Sequence, residues 1–123
     1  MNPTNWKQLI YESCSRIADK KYQSRAWFGL GSEVSSPEEL YCELFDDLLF
    51  EEFLESKESN LSQEHRNIGL LLKDTLNDYP LKDDDFIDPQ IVIDDPKWEE
   101  VRKLAKRFLE LFERPENGSS RAF

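Results

Sequence analysis

Histidine occurs once in these 123 residues, methionine once and cysteine twice. A lone His65 leaves no second imidazole for a zinc site, and no serine or cysteine stands in a nucleophile motif. His65 follows Glu64 close to a predicted helix start and is expected as a partly exposed first-turn residue. Cys14 and Cys42 fall on predicted helices among apolar or small neighbours, the pattern of two buried free thiols in a reducing compartment. Long apolar runs are missing, so no helix spans a membrane. The opening MNPTNWKQLIYESCS has no basic start followed by an apolar run, so no signal peptide is expected and a cytoplasmic location follows. With four glycines there is no GxGxxG and no GxxxxGK[ST], hence no phosphate-cradling loop. Asp83, Asp84, Asp85 and Asp88 look like a calcium loop at first sight, but the glycine and closing glutamate are missing at the required offsets. Neither a metal nor a cofactor is expected.

Positive charge is scarce where negative charge is dense. Net charge is −10, and residues 31–60 hold ten acidic side chains against one basic. Residues 61–95 hold nine against three, whereas residues 1–30 carry five basic and two acidic, and 96–123 seven and five. An acidic middle between mildly basic ends disfavours nucleic acid as a partner and favours a basic protein. Three Trp, four Tyr and eight Phe argue against disorder, and the length suits one domain over 1–123 with its own core.

The chain is organised around Ser36 to Lys57, SPEELYCELFDDLLFEEFLESK. Ser36 is the predicted N-cap, Pro37 takes the first helical position, and Glu39 completes a capping box. On a helical wheel Leu40, Tyr41, Leu44, Phe45, Leu48, Leu49 and Phe53 cover more than half the circumference. Glu39, Glu43, Asp46, Asp47 and Glu51 gather on the remaining arc, and Phe50 and Leu54 fall among them. The expectation is one helix that is both a core element and an acidic surface with embedded apolar residues.

Around it, the apolar spacing predicts a first helix over 3–21, a third over roughly 61–78 and a last one from Asp95-Pro96 onward. Asn60 with Gln63, or Ser62 alone, caps the third helix, and Gly69 within it signals close approach of a neighbour. Residues 23–36 form a glycine- and serine-containing connection in which Trp27 and Phe28 either plug the bundle or join a binding surface. Residues 80–95 carry two prolines and six acidic side chains, so a long irregular connection is expected, with Ile91, Val92 and Ile93 as a short extended cover. Residues 116–123 make a frayed tail. The fold class is all-α, an irregular bundle of four main helices with two long connections.

Helix carboxylates offer the one catalytic alternative. Glu52 with Glu55 and Asp74 with Asp78 share helix faces, as in Mg-dependent all-α nucleotide pyrophosphohydrolases, although the second pair has the wrong spacing for that family. A binding surface accounts for more of the sequence. Glu43, Asp46, Asp47 and Glu51 with Phe50 and Leu54 among them have the anatomy of a protein-binding patch, and Asp83, Asp84, Asp85, Phe86 and Asp88 repeat it. An acidic nucleic-acid mimic that inhibits a DNA-binding protein shares this charge pattern.

SSPEELYCELFDD resembles the second-helix opening of the colicin DNase immunity group, and DYPLKDDDF resembles its tyrosine, proline and aspartate segment, although the pair of adjacent tyrosines is reduced here to Tyr79 before Pro80. The resemblance extends to small acidic immunity proteins of contact-dependent inhibition systems. It implies a non-catalytic inhibitor that forms a tight one-to-one complex with a basic toxin nuclease domain.

Overall fold

The computed structural model describes residues 3–79 and 88–113. The architecture is all-α, with no strand among the described residues. The helices are α1 (Pro3–Ala18), α2 (Lys20–Ala26), α3 (Pro37–Cys42), α4 (Phe50–Glu55), α5 (Gln63–Asp78), α6 (Pro89–Asp94) and α7 (Pro96–Glu113). A π-helical turn over Glu43–Asp47 links α3 to α4, and a 3-10 turn over Lys57–Ser59 follows α4. The expected four helices are thus seven among the described residues. The packing centre is α7, which lies against both α1 and α5. Trp98, Val101, Ala105 and Phe108 of α7 are fully buried, as the apolar stripe from Asp95-Pro96 predicts.

Where the sequence predicts a first helix over 3–21, the chain breaks at Asp19. The Asp19 carboxylate accepts the Tyr22 N–H at 3.0 Å and starts α2 as a new helix. A short acid that can bond its own downstream backbone competes with helix continuation, and here it wins. The same chemistry corrects residues 80–95. Asp88 accepts the Gln90 N–H at 2.9 Å, Pro89 takes the first helical position, and Ile91, Val92 and Ile93 are helical rather than extended. Asp95-Pro96 repeats the device seven residues later, with Asp95 accepting the Lys97 N–H at 2.9 Å. Ser62 is the cap of α5, accepting from the His65 N–H at 3.0 Å.

The central stretch departs most from its expected form. One straight helix over 36–57 would spread the buried Leu40, Tyr41, Leu44, Leu48, Phe50, Phe53 and Leu54 over about 240° of its circumference, with Glu43, Asp47 and Glu51 among them. The backbone resolves the conflict by changing phase. The Leu48 N–H reaches back five residues to the Glu43 carbonyl at 2.9 Å, and Leu49 then adopts a left-handed conformation at φ 55°, ψ 55°. Beyond this break α4 starts afresh, and Phe50, Phe53 and Leu54 are all fully buried. Each such side chain taken from water contributes about 1.5–3 kcal/mol, against about 1–2 kcal/mol for a left-handed non-glycine residue. Three buried side chains outweigh one strained backbone.

Two further details correct the sequence reading. His65 is buried (4 % exposed), with its ring centroid 4.4 Å from that of Phe108 and 4.3 Å from that of Phe112. Cys14 is buried, but Cys42 is exposed on the outer side of α3. Gly69 is where α4, α5 and α7 meet: a β-carbon there would collide with the Leu54 side chain and stand 2.8 Å from Phe108 Cε1. Trp27 is the plug, its ring 5.8 Å from that of Trp98, while Phe28 is 38 % exposed.

Candidate functional site

The phase change that buries Phe50 and Leu54 leaves the carboxylates outside. Asp46, Asp47, Glu51, Glu52, Glu55 and Glu58 are exposed along the π-turn, α4 and the turn that follows. Among the described residues one ion pair joins residues 33–58 to a cation, Arg16 Nη2 to Glu43 Oε1 at 2.6 Å. Arg66 approaches the same segment, but its Nε donates to the Leu54 carbonyl at 2.6 Å and closes the end of α4. Among the described residues, basic side chains therefore leave most of these carboxylates without an ion-pair partner. Carboxylates held at high density on the surface set up a negative field that reaches about 10 Å into solvent at 0.1 M salt.

The expected anchors do not sit on this surface. Phe50 and Leu54 are fully buried, so neither can touch a partner. Phe50 packs edge-on against Phe45 at 5.8 Å and Phe108 at 5.6 Å between centroids. Asp46, Asp47 and Glu51 are exposed, whereas Glu43 is half-buried and held by Arg16. Asp83, Asp84, Asp85 and Phe86 lie outside the described residues. Asp88 is exposed, and one of its carboxylate oxygens is engaged at the start of α6.

Other apolar side chains take the exposed positions. Leu49, at the break itself, is 42 % exposed between Asp46, Asp47 and Glu51 in sequence; Leu30 and Val34 in the connection before α3 are 74 % and 75 % exposed. A surface cleft of about 480 Å³ lies between this connection and the α3–π-turn segment, lined among others by Glu33, Val34, Glu39, Glu43, Asp47 and Arg16. Sequence reasoning missed these positions because an isolated Leu or Val in a loop carries no periodicity. The one available signal was the pair Phe50 and Leu54 on the wrong arc, which marks a helix that cannot stay continuous.

The chemistry at this flank is that of charge and contact. Partial burial and then the neighbouring Asp46 raise the Cys42 thiol above its ordinary pKa, so it stays protonated and a poor nucleophile at neutral pH. Glu52, Glu55, Asp74 and Asp78 are all exposed, and among the described residues no group of three or more His, Cys, Asp or Glu side chains is arranged to hold a metal ion. No helix among the described residues is long and apolar enough to cross a membrane. No protein-family model matches the chain, and neither a curated protein nor a solved structure matches it.

Proposed function

We propose that this is a non-catalytic acidic binding protein whose partner is a basic protein. In its most specific form it is an immunity protein that neutralises a basic, nuclease-type bacterial toxin in a tight complex. The observation that carries the reading is the exposed row Asp46, Asp47, Glu51, Glu52, Glu55 and Glu58, on a segment whose one ion pair to a cation among the described residues is at Glu43. Unpaired carboxylates on a folded surface repel one another and cost stability; opposite a basic partner the same charges speed encounter and fix orientation. Leu49, exposed within this row, replaces Phe50 as the apolar contact. The toxin assignment rests on the resemblance of SSPEELYCELFDD and DYPLKDDDF to the colicin DNase immunity group.

The test is affinity capture with the full chain as bait beside a variant carrying Glu51→Lys, Glu52→Lys and Glu55→Lys. A basic protein retained by the native chain and lost by the variant is the expected result. Equal retention by both baits would contradict the assignment of this flank.

A further inference from the structure

The connection before α3 is fixed at both ends yet exposes its aliphatic side chains. The Leu30 N–H donates to the Arg25 carbonyl at 2.9 Å, the Ser35 N–H donates to the Ala26 carbonyl at 3.0 Å, and Trp27 is buried beneath. Leu30 and Val34 nonetheless stand about three-quarters exposed. Large aliphatic side chains held in water by an anchored backbone are a preorganised contact surface, because the ordering cost of the loop is already met in the free protein. Val34 also lines the cleft, opposite the carboxylates of Glu39, Glu43 and Asp47.

We infer that this cleft receives an arginine side chain carried on an exposed segment of the basic partner, a proposal that rests on the acidic-binding reading above. Its volume of about 480 Å³ falls within the roughly 300–1,000 Å³ of small-ligand sites. That is room for one long side chain with some water, but not for a helix some 10–12 Å across. Val34 offers an apolar wall for the methylene stem, and the half-buried Tyr22 ring adds an aromatic surface of the kind on which guanidinium groups stack. The wall already holds one guanidinium, since Arg16 sits on Glu43 at 2.6 Å. Glu33, Glu39 and Asp47 line the same space and bring further negative charge to it. A planar fork with five donors can engage two of these at once, whereas a lysine ammonium is a compact, strongly hydrated point charge; the cleft therefore selects arginine.

The test is a titration of the ¹⁵N-labelled full chain with three blocked tripeptides, acetyl-Gly-X-Gly-amide with X as arginine, lysine or glutamine. The arginine peptide is expected to shift the amides of residues 33–35 and 39–47 and to bind at least about threefold more tightly than the lysine peptide. The glutamine peptide is expected to shift nothing. A double variant, Glu39→Gln with Asp47→Asn, is expected to lose the arginine response while keeping the native amide spectrum elsewhere, because both side chains are exposed. Equal responses to arginine and lysine would overturn the cleft assignment. So would shifts centred on Glu51, Glu52, Glu55 and Glu58, or no shifts at all. Each of these leaves the broader reading to be decided separately by whether the charge-reversed bait loses its basic protein.

Discussion

Trp6 Nε1 donates to the Leu48 carbonyl at 2.6 Å, tying the first turns of α1 to the residue just before the left-handed Leu49. The indole satisfies a carbonyl that a helix continuing through this point would have used internally, and so holds the break in place. The break turns Phe50 and Leu54 inward and leaves the carboxylates around them outside. Leu49 carries the backbone cost of this arrangement, so replacing it should reveal that cost. Leu49→Gly is expected to leave stability unchanged or raise it by up to about 1 kcal/mol, since relief of the left-handed strain offsets the added chain entropy. Leu70→Gly, in the middle of α5, should instead lose about 1 kcal/mol or more. Chemical denaturation of the two variants checks the contrast.

Phe50→Ala should cost about 3–5 kcal/mol by opening a cavity among Phe45, Phe108 and the rest of the core. Glu51→Lys, one residue along and exposed, should change stability by no more than about 0.5 kcal/mol. Thermal melts of both variants separate the core side of this stretch from its solvent side.

Gln23 joins segments far apart in the chain. It is fully buried; its amide donates to the carbonyls of Arg16 at 2.9 Å and Ile17 at 2.7 Å, and its oxygen accepts from Trp98 Nε1 at 3.2 Å and Arg102 Nη1 at 2.9 Å. Arg102 is itself buried and also bonds Glu99 and the Ile93 carbonyl. Gln23→Leu keeps the volume but removes the acceptor from a buried cation, so a loss of roughly 3 kcal/mol is expected. The double variant Gln23→Leu with Arg102→Met, which removes both partners, should recover part of that loss in denaturant titrations.

His65 couples the fold to acid. Because a carbonyl only accepts, the 2.9 Å contact between Nε2 and the Phe108 carbonyl puts the proton of the neutral ring on Nε2. Burial lowers its pKa from the ordinary 6.5 to about 4, with Lys7 adding to the effect and the Phe108 carbonyl opposing it. The unfolded chain thus binds a proton more readily than the folded one. The contribution of the neutral ring is complete above about pH 6.5 and is lost as pH falls towards 4. At about 1.4 kcal/mol for each tenfold difference in proton affinity, the loss by pH 4 is on the order of 3 kcal/mol. Stability curves between pH 7 and 4 should show this slope in the native chain, and a much weaker one in His65→Gln.

The all-α class, the close approach at Gly69, the Ser36, Ser62 and Asp95 caps and the apolar face of α7 were legible in the sequence. Each depends on local spacing or on one residue type at one position. Asp88-Pro89 carried the same signature as Asp95-Pro96, but the surrounding aspartates and prolines obscured a helix of only six residues. The break at Leu49 was not legible as a break, since nothing in the leucine side chain favours positive φ; the neighbouring core positions impose it. Asp46, Asp47 and Glu51 are exposed on either side of this change of backbone, while Glu43 is half-buried against Arg16. The apolar contacts expected beside them did not survive, because burial depended on the phase of the helix after residue 48.

The most direct measurement of the central claim is the association rate of the captured basic partner with the native chain and with the Glu51→Lys, Glu52→Lys, Glu55→Lys variant, followed by stopped flow as salt is raised. Steering by this flank is expected to make the native rate fall about tenfold or more between 0.01 M and 0.5 M salt, with the variant slow and nearly flat throughout. A native rate indifferent to salt, or a variant that associates as fast and with the same salt dependence, would contradict it.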